Sequence, residues 1–189
     1  VYAHPEALTP KHAREDGGGS REIGIPAPAA QAIRDHAELV WTHGPTELGE
    51  GLWLTGPVPR VTEFETAAGR FFKDAGCREP DELADDQAAF LDRPEGTVVL
   101  LGCAHAGVIN TLRFVRTLHP GVPLAAVLGG MHLHSAPTER ITRTISELAA
   151  LGASQVIPAH CTGLPVLATL AAGLPDRCTP GEVGTVFEF

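Results

Sequence analysis

A strand, a glycine-containing loop and the start of a helix are predicted within Leu100-Leu101-Gly102-Cys103-Ala104-His105-Ala106-Gly107-Val108-Ile109-Asn110-Thr111. The apolar run from Thr97 to Leu101 has no polar alternation, which is typical of a strand buried on both faces. Apolar residues at helical spacing follow it, so a glycine-rich loop joins a strand to a helix. Ligands of α/β proteins bind at such a loop, at the carboxyl end of a strand. His105 is therefore a candidate ligand or catalytic residue, and a packed or capping histidine is the alternative.

The same arrangement recurs twice further along the chain, as Leu128-Gly129-Gly130-Met131-His132-Leu133-His134 and as Ile157-Pro158-Ala159-His160-Cys161-Thr162-Gly163. Because neighbouring parallel strands lie roughly 4.8 Å apart, histidines at equivalent strand ends can converge on one point. Neutral imidazole is a common ligand of zinc, iron and manganese. The sequence therefore predicts a metal site formed by His105, His132 and His160, with His134 as the next candidate. A zinc site of Cys103, His105, His160 and Cys161 is an alternative.

Periodicity predicts a regular alternation of strands and helices from Thr97 onward. The expected strands are 97–101, 124–128 and 155–157; the expected helices are about 107–118, 137–151 and 163–173; a terminal strand is expected over 183–189. Strands that alternate with helices imply a parallel sheet. This part of the chain is therefore predicted to be a β-α-β-α-β-α core from 97 to 173, within a single domain of residues 1–189.

The first half of the chain is less regular. We expect a mobile loop over about residues 9–28, which contain Gly17-Gly18-Gly19, and a weak helix over 29–41. A short strand is expected over 51–57. The acidic residues between 81 and 86 are interpreted as the first turn of a helix, where negative charge complements the helix dipole.

Four residues are candidates for binding a substrate. Thr162 is expected to cap the helix that begins near Gly163, whose N-terminus would attract an anion. Asn110 is expected to do the same for the earlier helix or simply to pack. Arg60 is interpreted as a clamp for a substrate anion or as part of a structural ion pair.

Composition narrows the class of protein. The 189 residues carry a net charge of −9, which argues against nucleic acid and anionic membranes as partners. No apolar run approaches the roughly 20 residues of a membrane helix. The four cysteines are widely spaced, with no CxxC pair, so a reducing cytoplasm is expected.

Several of these segments together resemble a branch of the metallo-β-lactamase superfamily, and the resemblance covers nearly the whole chain. The branch includes a synthase that joins a dihydropterin to a ribofuranosylaminobenzene phosphate; many bacterial members are described simply as metal-dependent hydrolases. The matching segments are Gly102–Thr111, Gly129–Leu133, Pro158–Gly163, Leu54–Arg60, Asp85–Gln87 and Val1–Pro5.

The resemblance implies an αββα sandwich with a metal site at the sheet edge, holding one or two divalent ions, with zinc expected and manganese or iron as alternatives. It assigns His105 and His160 to late metal ligands of the family, and it places His132 where other members have a bridging aspartate. The family's HxHxDH motif is absent. The chain is therefore expected to begin just after that motif, as the C-terminal part of the fold. No catalytic residue is assigned, because the general base is expected in that preceding segment.

Two functions from different classes follow as expectations. The first is a metal-dependent hydrolase, in which metal-bound hydroxide attacks an ester or phosphoester of a small anionic molecule, or a related pterin and aryl-phosphate synthase. The second is a catalytically incomplete half, or a non-catalytic module that binds a ligand, a complementary N-terminal half or another copy of itself. Metal content after purification discriminates between them. A plain α/β domain, whose histidines satisfy backbone groups, is the third interpretation.

Overall fold

The computed structural model describes residues 1–65 and 70–189. Within them, the chain is organised as two compact units: the first unit comprises residues 1–44 and 70–85, and the second unit comprises residues 45–65 and 86–189. The single-domain interpretation stays a prediction.

The regular elements are short in the first unit and longer in the second. In chain order they are β1 (Tyr2–Ala3), β2 (His12–Arg14), β3 (Ser20–Glu22), α1 (Ala27–His36), β4 (Val40–Trp41), β5 (Thr46–Gly49), β6 (Leu52–Leu54), β7 (Phe71–Phe72), β8 (Ala88–Arg93), β9 (Gly96–Leu101), α2 (Val108–Leu118), β10 (Leu124–Gly130), α3 (Thr138–Leu151), β11 (Gln155–Ala159) and α4 (Leu164–Gly173). Single 3₁₀ turns cover Pro5–Leu8 and His160–Thr162.

The first unit contains two small sheets and corrects three expectations. Strands β2 and β3 pair antiparallel and β2 also pairs with β7, so the loop expected over residues 9–28 is wrong for these paired segments. The expected helix 29–41 ends at His36, and Val40–Trp41 instead pairs in parallel with β1. The acidic residues 81–86 do not begin a helix, because Asp81 and Asp85 form ion pairs with the buried Lys11.

The second unit is built on a six-stranded sheet in the order β11-β10-β9-β8-β6-β5. Its first three strands are parallel, as the sequence predicts, and the others are antiparallel. Gly129 pairs with Leu101 on one side and with Pro158 on the other. The carboxyl ends of β9, β10 and β11 are therefore in register at one edge of the sheet.

The two faces of this sheet are covered unequally. Helices α2, α3 and α4 bury the main core against one face, where Val99 and Val127 contact helix residues such as Leu112. The other face carries a small cluster around Val98 and Ala126, and Leu100 on that face is 36% exposed. The helices therefore hold the sheet from one side only.

The sequence boundaries agree with the structure to within two residues for the three strands and three helices from Thr97 onward. Helix α3 ends at Leu151 and is followed by Gly152, whose φ of 72° is a conformation that glycine adopts readily. The short strand expected over 51–57 is Leu52–Leu54. The terminal strand 183–189 is wrong: Thr185 bonds back to Glu182 in a turn around Gly184, and Phe189 packs on the Val98 cluster without pairing. Over residues 1–65 and 70–189, no helix combines the length and apolar character needed to cross a membrane.

Candidate metal centre

The three parallel strands end in backbone turns with one shared peculiarity. Ala104, His132 and His160 follow β9, β10 and β11, and they have φ angles of 53°, 47° and 50°. A residue with a β-carbon held in this left-handed region costs about 1–2 kcal/mol. Strain of this kind is found at functional sites, where the surrounding structure over-determines it. The repeat at three adjacent strand ends marks this edge of the sheet as the site.

The imidazoles of the first two strand ends lie together. The ring centroids of His105 and His132 are 4.5 Å apart, with the rings at 74° to each other. His134 lies next to them, with its centroid 6.0 Å from that of His132. The structure therefore brings together two of the three predicted metal ligands, with the next candidate beside them.

The third strand end presents its histidine to a thiol. The Nε2 atom of His160 lies 3.2 Å from Sγ of Cys103. The Sγ atom of Cys161 completes a group whose three donor atoms are all within 4.8 Å of one another. The alternative Cys₂His₂ site that the sequence suggests contains these three residues and His105. The structure groups the two thiols with His160.

Hydrogen bonds hold the second thiol and change its acidity. The backbone N–H of His132 donates to Sγ of Cys161 over 3.3 Å, and the Cys161 thiol lies 3.6 Å from the carbonyl oxygen of Cys103. Hydrogen bonding from Cys103 and from His132 lowers the pKa of Cys161, whereas hydrogen bonding to Cys161 and burial raise the pKa of Cys103. These interactions favour the thiolate form of Cys161 and the thiol form of Cys103. Thiolate is the form of cysteine that binds metals.

A buried carboxylate lies behind His105. Asp86 accepts the backbone N–H of Ala106 over 2.8 Å, and its other oxygen lies 3.8 Å from Nδ1 of His105. Burial raises the pKa of Asp86, against the opposing effects of the Ala106 N–H and of His105. At 3.8 Å the carboxylate and Nδ1 of His105 interact electrostatically and do not form a hydrogen bond. The sequence analysis placed Asp86 in a resembling segment and interpreted it as part of a helix start, and it did not predict the contact with His105.

Arg60 forms a hydrogen bond with the loop that contains His105. Its Nη1 donates to the backbone carbonyl of His105 over 2.8 Å, and the residue is exposed. Arg60 therefore lies beside His105 at the candidate site. Its role as a clamp for a substrate anion stays a prediction.

The N-terminus of α2 is already occupied by a carboxylate of the protein. Glu65 is 1% exposed and accepts the N–H groups of Ile109 and Asn110 over 2.9 and 2.8 Å. Burial raises its pKa, although these hydrogen bonds oppose the shift. A β-carbon at Gly107 would lie 2.4 Å from the Glu65 carboxyl group, so a glycine is required there. No sequence pattern points to Glu65, because its partners are more than 40 residues away.

Asn110 and Thr162 have structural roles instead of the capping roles expected for them. The Asn110 side chain accepts the N–H groups of Val61 and Thr62 and donates to the carbonyl of Ala106, which corresponds to the alternative that it packs. Thr162 is fully buried and accepts the N–H of Met131 over 3.2 Å, while α4 has no side-chain cap, so the capping expectation is wrong. Substrate contact by either residue stays a prediction.

Gly163 and Arg140 complete the surroundings of the strand ends. A β-carbon at Gly163 would lie 2.6 Å from Cβ of His134, so this glycine lets the two loops approach; its substrate-binding role stays a prediction.

Arg140 is 8% exposed and interacts electrostatically with the carboxyl group of Glu65. Within the part of the chain that the structure describes, its Nε and Nη2 atoms lack hydrogen-bond partners. The sequence analysis missed Arg140, because a surface arginine and a buried one look alike in a helical pattern.

Two proteins of Methanocaldococcus jannaschii are similar in sequence to this chain. An uncharacterized protein of Methanocaldococcus jannaschii is 29% identical over 171 residues, which cover 90% of this chain and 61% of that protein. The 7,8-dihydropterin-6-methyl-4-(β-D-ribofuranosyl)-aminobenzene-5'-phosphate synthase of the same organism is 24% identical over 86% of this chain and 57% of its own length. The chain thus spans about three fifths of the length of these relatives. No protein-family model matches it.

The fold has a solved counterpart. The crystal structure of a metal-dependent hydrolase of the β-lactamase superfamily superposes with a TM-score of 0.84 and 26% sequence identity, and the match covers all of this chain and 70% of the other. The chain therefore has the α/β fold of the metallo-β-lactamase superfamily, and it resembles the branch that contains the dihydropterin synthase.

Proposed function

We propose that the protein is a divalent-metal-dependent hydrolase that acts on an ester or phosphoester of a small anionic molecule. One observation carries the proposal: the three aligned strand ends present a dense set of nitrogen and sulfur donors at one edge of the sheet. The solved protein with the same fold is described as a metal-dependent hydrolase.

The donor set fits a metal ion of the zinc class. Imidazoles and thiols suit zinc, copper and iron, whereas magnesium and calcium favour oxygen ligands. His105 and His132 would hold the ion, and we propose zinc, with manganese or iron as the alternatives; His160, the third histidine that the sequence adds to this set, lies against the thiol of Cys103. The close approach of the His105 and His132 rings and the carboxylate of Asp86 behind His105 support this assignment.

A bound divalent ion would supply a Lewis acid that lowers the pKa of water and polarises the scissile group. The chain's own residues would fix the geometry around it. Asp86, whose carboxylate lies 3.8 Å from Nδ1 of His105, would attract this ring electrostatically and so help to position it. Arg60, exposed beside the His105 loop, would attract the negative charge of the substrate. No residue of this chain is proposed as the general base.

The test uses the purified chain, freed of metal by a chelator and reloaded with zinc, manganese or iron(II). Metal content is measured by mass spectrometry, and hydrolysis is followed on nitrophenyl esters, phosphate monoesters and phosphate diesters. We expect activity to follow bound metal, to fall in His105→Ala and to persist in His36→Ala, which changes an exposed histidine of the first unit. Unchanged metal content in both His105→Ala and His132→Ala would contradict the proposed ligands.

A synthase activity is a related candidate, because one relative is named as the dihydropterin synthase. It is tested by offering a dihydropterin with a ribofuranosylaminobenzene phosphate to the same metal-loaded chain. Formation of the coupled product, measured by mass spectrometry, would support the synthase; hydrolysis without coupling would support the hydrolase. In either case we propose a reducing cytoplasm as the location, and the free state of the four cysteines supports this.

A binding module is the second function that a specific observation favours. Leu100 is 36% exposed on the sheet face opposite the helices, next to the small cluster around Val98. Exposed apolar surface of this kind marks interaction sites when it is extensive. We propose that this face meets a complementary half or a second copy. A monodisperse monomer in light scattering, soluble without a partner, would contradict this proposal.

A further inference from the structure

We propose that Cys103, Cys161 and His160 form a donor set of their own for a thiophilic metal ion, of the Zn²⁺ or Cu⁺ class, at the ends of β9 and β11. This site goes beyond the histidine site of the proposed hydrolase, because its ligands include two sulfur atoms. It also stands whether or not the protein hydrolyses an ester.

The distances suit one small ion. Zinc binds sulfur at about 2.3 Å and nitrogen at about 2.0–2.1 Å, so tetrahedral geometry places neighbouring S and N ligands roughly 3.6 Å apart. Nε2 of His160 lies 3.2 Å from Sγ of Cys103. Sγ of Cys161 lies within 4.8 Å of both. Small side-chain rotations would therefore bring three donors to one ion.

The backbone around the set leaves room for these side chains. Gly130, at the end of the strand between the other two, has no side chain to fill the space. A β-carbon there would lie 2.8 Å from Sγ of Cys161 and 3.1 Å from Cδ2 of His160. His160 itself is held at a φ of 50°, which turns the chain between the strand and Cys161. The three donors are thus placed by the fold and not by flexible side chains alone.

The contacts of His160 pair it with the thiols. Its Nε2 faces the thiol of Cys103, whereas His105 and His132 face each other. Two thiolates and one imidazole favour soft, d¹⁰ ions over manganese or magnesium. Three protein ligands also leave a coordination position open, which is the arrangement of zinc sites that bind a further molecule.

The test is a titration of the reduced, metal-free chain with Co²⁺, which reports thiolate ligands through sulfur-to-cobalt charge-transfer absorption in the near ultraviolet. We expect this band in the wild type at one cobalt per chain. It should be lost in Cys103→Ser and in Cys161→Ser. Cys178→Ser, which changes a half-buried cysteine outside the cluster, is the matched control and should retain it. Circular dichroism and a thiol count establish that each variant is folded and reduced.

The outcomes separate this site from the proposed hydrolase. A band that survives in His105→Ala supports the separate donor set, and it does so even if no hydrolysis is found with any metal. Cobalt that binds without charge-transfer absorption, absence of binding to the reduced wild type, or loss of the band in His105→Ala would each overturn the three-donor assignment. Retention of the band in both serine variants would overturn it as well.

Discussion

Two groups of closely spaced metal-binding side chains occur in the described residues, and they differ in what lies among them. In the first unit, the carboxylates of Glu6, Asp81 and Asp85 approach one another. In the second unit, Cys103, His160 and Cys161 do so at the strand ends. In both groups the donor atoms lie close enough together to hold one ion, but the surroundings of the two groups differ.

The acidic group already contains cations from the chain itself. Nζ of Lys11 lies 2.8 Å from both Asp81 and Asp85, and Lys73 pairs with Glu6 over 3.1 Å. Although burial alone would lower the pKa of Lys11, the two carboxylates raise it. A buried charge is tolerated when it is paired in this way. Because Lys11 and Lys73 already form ion pairs with the acidic group, its carboxylates need no metal ion to balance their charge.

The largest expected effect is on the acidic group. Lys11→Met removes the ammonium and leaves two largely buried carboxylates without their cation, so we expect a loss of about 3–5 kcal/mol in the free energy of unfolding. Chemical denaturation measures it. Lys73→Met is the control, because its ion pair is more exposed and should contribute under about 1 kcal/mol. Equal, small losses in the two variants would show that Lys11 is not the centre of the unit.

The acidic group also predicts a pH dependence. Burial raises the pKa of Asp81, but the hydrogen bonds from Lys11 and from the backbone N–H of Leu83, together with the positive charge of Lys11, outweigh burial and lower the pKa below its usual value. The stabilisation is therefore present above the unfolded-state pKa of aspartate and is lost as the pH falls through the lowered pKa in the folded state. Acid unfolding curves of the wild type and Asp81→Asn test this. The variant should be less stable at neutral pH and should lose less stability on acidification; parallel curves would contradict the linkage.

The next effect is on metal affinity. His160→Ala removes one of few protein ligands, so we expect metal binding to weaken on the order of 100-fold, while the free energy of unfolding falls by only about 1 kcal/mol. Calorimetric metal titration and thermal melting measure the two quantities. His36→Ala should change neither. Loss of the fold along with the metal would identify the site as structural, as in a zinc finger.

A smaller effect is expected at the N-terminus of α2. Glu65→Gln keeps the size of the side chain but turns an amide NH₂ toward one of the two backbone N–H groups that Glu65 accepts. We expect a loss of about 1–2 kcal/mol in the free energy of unfolding, because one buried donor loses its acceptor. Glu63→Gln, at an exposed neighbouring position, is the control. A neutral result at position 65 would show that the cap contributes little.

The smallest expected effect is that of Asp86→Asn. The amide can still accept the N–H of Ala106, but it lacks the charge that holds the ring of His105. Metal affinity should fall about tenfold, at the lower end of the range for residues that orient a ligand. Metal titration against Asp35→Asn, an exposed carboxylate of α1, checks it. An affinity equal to that of the wild type would remove Asp86 from the site.

The sequence predicted the part of the fold in which local pattern and long-range pairing agree. Apolar runs such as Thr97–Leu101 and helical spacing after Gly107 locate the strands and helices, and parallel strands then place His105 and His132 at one edge. Short paired segments such as β2 and β3 have no such pattern. Their polar, glycine-containing sequence is stabilised by pairing with distant strands, so it was interpreted as a loop.

The candidate site was predicted less completely, for a related reason. The histidines were found because they recur at strand ends, whereas Glu65 and Asp86 reach the site from segments 20 or more residues away. The thiols were visible beside His105 and His160, but only the structure assigns them to His160. Sequence pattern identifies the residues of one element, and the pairing of residues from different elements requires the tertiary structure.

The left-handed backbone at Ala104, His132 and His160 has a consequence for directed evolution of this protein. Glycine is the residue that relaxes such a position, so exchanging either histidine for glycine would relieve backbone strain and delete a metal donor in the same step. A library selected for heat resistance alone would therefore drift toward stable proteins with an emptied donor set. Selection for stability would favour glycine at positions 132 and 160, whereas selection for metal binding would favour histidine.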